Sequence, residues 1–246
     1  MAEKRLQVLN RDAIKYIAMF TMLLNHIAHI FLERGTPLYE IFQDIGFFTA
    51  PVMCFFLVEG YTYTRSKRGY GLRLLVFAVL SQIPFQLAFG YSTLNMIYTL
   101  LCCFLILVVM EKVSNPLLCR GLLLMLIFAT TGGDWPVAAP ILTILLAIDW
   151  GDRRKMAVNY GVVYLLFSTL NVQSYVNGKT WECALYAVIH ALLSGLGILA
   201  AAVATLVLYN GERAKHGRTF SKWFFYVFYP GHLLILYLIK ISLHNI

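Results

Sequence analysis

Nine runs of mostly apolar residues follow one another along the chain, at about 12–33, 40–63, 72–89, 94–110, 117–131, 136–150, 156–172, 183–209 and 222–242. A stretch of roughly 20 such residues is what a helix needs to cross the hydrocarbon of a bilayer. The runs at 117–131 and 136–150 are the shortest. The expected fold is therefore all-α, a polytopic integral membrane bundle of about nine transmembrane helices forming one domain, 1–246. Composition excludes the other classes. With 60% hydrophobic and 13% charged residues and a mean hydropathy of +0.71, the chain has about half the charge that keeps a soluble surface wet. The same figures exclude disorder. Five cysteines in 246 residues are too few for a disulfide-stapled module.

The formal charge of +8 is a topology signal. If successive runs alternate in direction, the Lys and Arg residues fall on one side, with only Arg34, Lys179 and Lys240 on the other. The majority side holds Lys4, Arg5, Arg11 and Lys15, then Arg65, Lys67, Arg68 and Arg73, then Lys112, Arg120, Arg153, Arg154 and Lys155, and finally Arg213, Lys215, Arg218 and Lys222. By the positive-inside rule this puts the N-terminus in the cytoplasm and the C-terminus outside, and argues against a nucleic-acid partner. No small-residue cleavage site follows Phe31-Leu32-Glu33-Arg34, so the first run is expected to remain as a helix.

Polar side chains inside such spans are costly and mark candidate sites. From Lys15 to His26 a helix turns about 20° more than three full turns and rises about 16 Å, so the two share a face, with Met19 and Met22 between them. A cation at the cytoplasmic end and an imidazole in the outer half are thus joined by a flexible, polarizable strip. In the last span, Tyr229-Pro230-Gly231-His232 predicts a kink, because Pro230 cannot donate to the carbonyl of Tyr226, and a polar pocket around His232. Asp44 comes out at a depth similar to that of His26 by a count of about 1.5 Å per residue. A carboxylate there would raise the imidazole pKa and orient it as a general base. Further polar groups are Glu59, Ser81, Gln82, Gln86, Asn95 and His190. His26 and His29 lack an obvious third ligand, and no metal is expected. Gly197, Ala200, Ala201 and Ala204 have the spacing of close helix packing.

Several ordered segments resemble the TraX family of F-pilin acetylases. They are Asp12-x-x-Lys15 with His26 eleven residues on; Pro51 in a Phe-rich helix ending Leu57-Val58-Glu59-Gly60-Tyr61; Tyr70-Gly-Leu-Arg73; Ser81-Gln-Ile-Pro84-Phe85; Leu94-Asn95; and Phe228-Tyr229-Pro230-Gly231-His232-Leu233. The resemblance covers 12 to about 110 and 222–238. The Lys15 to His26 spacing is also similar to that of a pair in the acyltransferase-3 membrane O-acetylases. Where the family carries charge, this chain has Asn25, Phe47 and Gln82.

The resemblance implies transfer of an acetyl group from cytoplasmic acetyl-CoA to an amine or hydroxyl at the outer face, on a pilin-like peptide N-terminus or a surface glycan. In that picture, set in a bacterial inner membrane, Asp12, Lys15, Arg65, Lys67, Arg68 and Arg73 bind the cofactor, the basic ones through the CoA phosphates. His26 and His232, with Asn25 and Asp44, do the chemistry, by proton transfer or as a carrier of the acetyl group. Two other readings stand beside it: a transporter or channel for a small polar solute, and an assembly subunit without catalysis. Monomer and dimer are both compatible with the sequence.

Overall fold

The computed structural model describes residues 6–90, 92–176, 178 and 180–244. Lys4, Arg5 and Lys179 of the charge pattern lie outside these, as do the side chains of Arg218 and Lys222. The described residues form helices: α1 (Arg11–Phe31), α2 (Pro37–Gly46), α3 (Thr49–Tyr63), α4 (Lys67–Phe89), α5 (Met96–Lys112), α6 (Pro116–Ala129), α7 (Ala138–Ile148), α8 (Arg153–Tyr175), α9 (Trp181–Ser194), α10 (Leu196–Ala202) and α11 (Arg218–His244). A π turn, Val203–Leu208, follows α10.

Helix boundaries follow local chemistry. Side chains of Asn10, Thr36, Ser66, Asn95, Asn115, Asp152 and Thr180 accept from first-turn N–H groups of the helices they precede. Each thereby satisfies a donor that the helix itself leaves over. Pro37 and Pro116 occupy first-turn positions, where the missing N–H costs nothing. Gly90 ends α4 at φ 76°, a left-handed cap that glycine adopts without strain.

Among the described residues five stretches are long and apolar enough to cross a membrane: Arg11–Phe31, Pro37–Tyr63, Lys67–Phe89, Trp181–Leu208 and Thr219–Leu243. The expectation of nine spans is met only in this coarser form. The other four runs are helical but fall short for different reasons. α5 has 17 residues, α6 has 14 and α7 has 11. At about 1.5 Å per residue, α7 rises roughly 17 Å against a hydrocarbon core of about 30 Å. α8 has 23 residues but carries polar groups along much of its length. Pro230 lies inside α11, which continues through it, so the proline does not end the helix.

The chain gathers into two compact units, Met1–Val52 with Gly151–Arg213, and Met53–Trp150 with Ala214–Ile246. In the first, α1 packs on α2, and α8 packs on α9 and α10. The hydroxyls of Thr21 and Thr49 lie 2.9 Å apart and both donate to the carbonyl of Ala18, tying the start of α3 to α1. In the second, α4 packs on α5 and α11, and α5 packs on α6 and α7. Phe77 stacks on Tyr226 with ring centres 4.7 Å apart, and Lys240 Nζ donates to the carbonyl of Ala88 at 3.2 Å. Those two contacts make α4 and α11 parallel neighbours.

Candidate functional site

In the first unit, α1 buries Met19, Met22 and His26, while Lys15 is half-buried, and Ile17 and Phe20 on the far side are exposed. His26 is 5% exposed, so the strip from Lys15 to His26 lies on an inward face and not toward lipid. His29 is held separately, its Nδ1 3.0 Å from the hydroxyl of Tyr39. Asp12 belongs to the first turn of α1, where a negative charge favours the helix N-terminus.

Asp44 and Asn25 are positioned by α2 and its neighbours. Helix α2 has three faces. Tyr39, Gln43 and Gly46 meet α1: Asn25 Nδ2 donates to the carbonyl of Gln43 at 3.1 Å, and a Cβ on Gly46 would lie 2.3 Å from that of Asn25. Leu38, Ile41 and Ile45 are exposed. Phe47 meets Phe167 of α8, with ring centres 4.8 Å apart. Asp44 shares a side of the helix with Phe47 and Glu40 and is within electrostatic reach of Tyr175 on α8. Among the described residues no hydrogen bond or ion pair joins it to His26. Asn25 ties α1 to α2.

In the second unit, α11 buries Tyr229, His232, Leu233 and Leu236 along one side. His232 Nδ1 lies 2.7 Å from the carbonyl of Phe228, and the Phe228 ring stacks on the imidazole with centres 4.7 Å apart. A carbonyl can only accept, so Nδ1 carries the proton and the basic lone pair of the neutral ring is on Nε2. Tyr229 packs edge-on against the same imidazole, and its hydroxyl accepts from the N–H of Met96 at 3.2 Å.

The polar pair Gln82 and Asn95 closes the turn between α4 and α5. Asn95, 1% exposed, donates through Nδ2 to the carbonyl of Ala78 at 2.8 Å and to Gln82 Oε1 at 2.7 Å. Its Oδ1 accepts from Ile97 and Tyr98. Gln82 Nε2 donates to the carbonyl of Thr93 at 2.9 Å. The amide at position 82 thus has a structural task. The same end of the unit holds a strained loop that no sequence pattern announced. Trp135 and Val137 both have positive φ, 57° and 61°, a conformation unfavourable for side chains with a Cβ. The loop is held by bonds from Thr99 Oγ1 to the carbonyl of Asp134 at 2.6 Å and from the N–H of Asp134 to the carbonyl of Leu94 at 2.9 Å. A Cβ on Gly133 would lie 2.7 Å from Thr99 Oγ1.

At the opposite end of this unit stand Arg65, Lys67, Arg68 and Arg73. Lys67 is already engaged: it pairs with Glu111, which also accepts from Tyr61, and lies 4.4 Å over the Tyr61 ring. Arg65 and Arg68 are exposed. Arg73 reaches over Tyr70, 5.7 Å from the ring centre, with its Nε buried and unbonded. Gly60 and Gly71 are explained by packing, since a Cβ would lie 2.9 Å from the Tyr70 ring and 2.7 Å from the Phe104 ring. Among the described residues, no three His, Cys, Asp or Glu side chains group as metal ligands.

The family model described as TraX protein matches residues 10–240. The chain is also similar to a protein of Dichelobacter nodosus described as probable fimbrial assembly protein FimC, serogroup H1. The two are 29% identical over 238 residues, covering 91% of this chain and 92% of that one. No solved structure matches.

Proposed function

The chain belongs to the TraX family, and from that premise we propose that it is an integral membrane acyltransferase. It moves an acetyl group from cytoplasmic acetyl-CoA to an amine or hydroxyl at the outer face of the bacterial cytoplasmic membrane. The fimbrial role in the relative's name points to a pilus subunit or its surface modification as the setting. The observation that carries this reading is the inward strip of α1, where Lys15, Met19, Met22 and buried His26 share one face. A thioester arm lying along the methionines, with its phosphates at Lys15, would deliver its carbonyl near the imidazole.

The acceptor's N–H or O–H adds to the thioester carbonyl. A C–N or C–O bond forms, the C–S bond breaks, and the proton passes to the imidazole and then to the departing thiolate. His232 is a second candidate for this base, because its proton is fixed on Nδ1 and its lone pair on Nε2. Arg65, Arg68 and Arg73 are a second candidate set for the phosphates. Asp44 and Asn25 have no part in this scheme.

Purified protein should be stabilised against heat by CoA through mass action and should turn over acetyl-CoA slowly. His26→Ala should lose turnover and keep CoA binding, whereas Lys15→Ala should mainly weaken binding. The competing reading, a carrier for a small polar solute, draws on the polar face of α8. Solute flux in liposomes without CoA stabilisation or thioester turnover would establish that reading and overturn the transferase.

A further inference from the structure

In the second unit, α5 stops well short of the helices beside it. Helices α4 and α5 run antiparallel: Lys67 pairs with Glu111 at one end, and at the other Asn95 donates to the carbonyl of Ala78 and to Gln82. Beyond Gln82, α4 continues to Phe89, a further rise of about 10 Å. The start of α5 also meets α11, where the N–H of Met96 donates to Tyr229, and α11 continues to His244. The turn between α6 and α7 lies at the same level. The N–H of Leu94 donates to the carbonyl of Gly132 at 2.8 Å, and the N–H of Asp134 donates to the carbonyl of Leu94 at 2.9 Å. These helix ends make a floor, and α4 and α11 rise past it.

That floor lies at membrane depth. Leu72, Val76, Val79, Leu80, Ile83 and Leu87 form an exposed apolar stripe along α4, so lipid meets this helix well beyond the level of Asn95. Gln82 is two residues on from Leu80 and therefore on the far side of the helix. There the chain is not in long helices. Residues 92–94 are non-helical, and Thr130–Gly132 make a single 3₁₀ turn. Ser92, Thr93, Thr131 and Gly132 are all exposed, and the carbonyl of Thr93 accepts from Gln82 Nε2. Non-helical backbone at such depth is tolerated only where protein buries it or where it lines a water-filled cavity. Because these residues are exposed and carry hydroxyls, water is what they face.

We infer that the second unit holds a water-filled recess, open at the end away from Lys67 and Glu111 and floored by residues 92–95 and 130–134, and that a polar, water-borne acceptor enters through it. With the N-terminus in the cytoplasm, that end is the outer face. At the floor, Met96 holds Tyr229, whose ring packs edge-on against His232, so the recess brings an amine or hydroxyl to the level of that imidazole. An acceptor embedded in lipid would need no such opening. The recess is a property of the fold, whereas its use by an acceptor rests on the transferase reading.

The test places single cysteines in the full-length protein carrying Cys119→Ser and Cys183→Ser. Thr93→Cys and Thr131→Cys probe the recess, and Leu80→Cys is the lipid-facing control at the same depth. A charged, membrane-impermeant methanethiosulfonate is added to intact cells. Thr93→Cys and Thr131→Cys should react at least about tenfold faster than Leu80→Cys, because the reacting thiolate forms in water and not in hydrocarbon. Equal rates at the three positions would overturn the recess. The two probes stand on separate segments, so if one variant fails to fold the other still decides. For the acceptor's route, purified Thr131→Cys is capped with a bulky maleimide. Capping should suppress acetyl-CoA turnover and leave stabilisation by CoA intact, and unchanged turnover would overturn the route. Protein that neither binds CoA nor turns over acetyl-CoA removes the acceptor's role together with the transferase reading, while the labelling contrast still decides the recess.

Discussion

The carbonyl oxygen of Phe228 and Nδ1 of His232 lie 2.7 Å apart, one turn along the same helix, and this contact decides which imidazole nitrogen is basic. Because the carbonyl accepts, the proton stays on Nδ1 and Nε2 is the atom able to take one from a substrate.

His232→Asn and His232→Gln should therefore differ. The Asn amide places its nitrogen near Nδ1 and keeps the bond to Phe228 but offers no base. If His232 is the base, His232→Asn should leave thermal stability close to wild type and lower turnover by about 10²-fold or more. Wild-type turnover in His232→Asn would assign the base to His26.

Asn95 donates from Nδ2 to Ala78 and Gln82 and accepts on Oδ1 from the first turn of α5. Asn95→Ala should destabilise by about 2–4 kcal/mol, a cap plus buried polar bonds. Asn95→Asp keeps the cap but sets an acceptor against the carbonyl of Ala78 and Gln82 Oε1. It should also unfold earlier than wild type, as read by thermal denaturation in detergent.

Glycines sort by what surrounds them. A Cβ on Gly197 would lie 2.7 Å from the Phe48 nitrogen and 2.9 Å from the carbonyl of Asp44, both backbone atoms that cannot swing aside. Gly197→Ala should cost more than about 2 kcal/mol. Gly161, within α8, has nothing within 4 Å of its Cβ position, and Gly161→Ala should stabilise by about 0.5–1 kcal/mol. Unfolding of the two variants under one set of conditions gives the comparison.

Two loop-side carboxyls should give opposite pH dependences. Burial pushes the Asp134 carboxyl up from 3.8 to about 6, against a bond from the Trp135 backbone. Its folded value lies above the unfolded one, so this contribution is full below about 3.8 and is lost as pH rises through about 6. Wild type should lose stability relative to Asp134→Asn over that window. Bonds from Lys67 first, then Tyr61, hold Glu111 down from 4.5 to about 2. That contribution is present above 4.5 and lost as pH falls toward about 2, so Glu111→Gln should flatten the acid limb.

Membrane orientation can be read from the two half-buried cysteines outside the apolar core, Cys119 near the start of α6 and Cys183 near the start of α9. With the N-terminus inside, an impermeant thiol reagent added to intact cells should label Cys183 and spare Cys119. The reverse pattern inverts the orientation.

The helices were legible as apolar runs, but their ends were not: α4 starts at Lys67 where its run starts at 72, and the run at 40–63 is broken between Gly46 and Thr49. Asn10, Asn95 and Asp152 set their helices by reaching only two or three positions ahead. The inward strip on α1 was legible too, since 3.6-residue periodicity fixes which residues share a face. Depth along an axis also follows from counting, which placed Asp44 near the level of His26. Its direction did not follow. Tyr39 and Gly46 meet α1 while Phe47 and the side chain of Gln43 meet α8, and that choice depends on which helices flank α2.

The role of Asn95 and the strained loop at Trp135 and Val137 were hidden for the same reason. They rest on contacts between residues far apart in sequence, such as Thr99 with Asp134 and Met96 with Tyr229. Sequence by itself determined that this is a helical membrane chain and that Lys15 and His26 share a face. Tertiary packing alone decided that Asp44 comes within electrostatic reach of Tyr175 on α8, because a helix fixes the angles between its own side chains while its neighbours set how it is rotated.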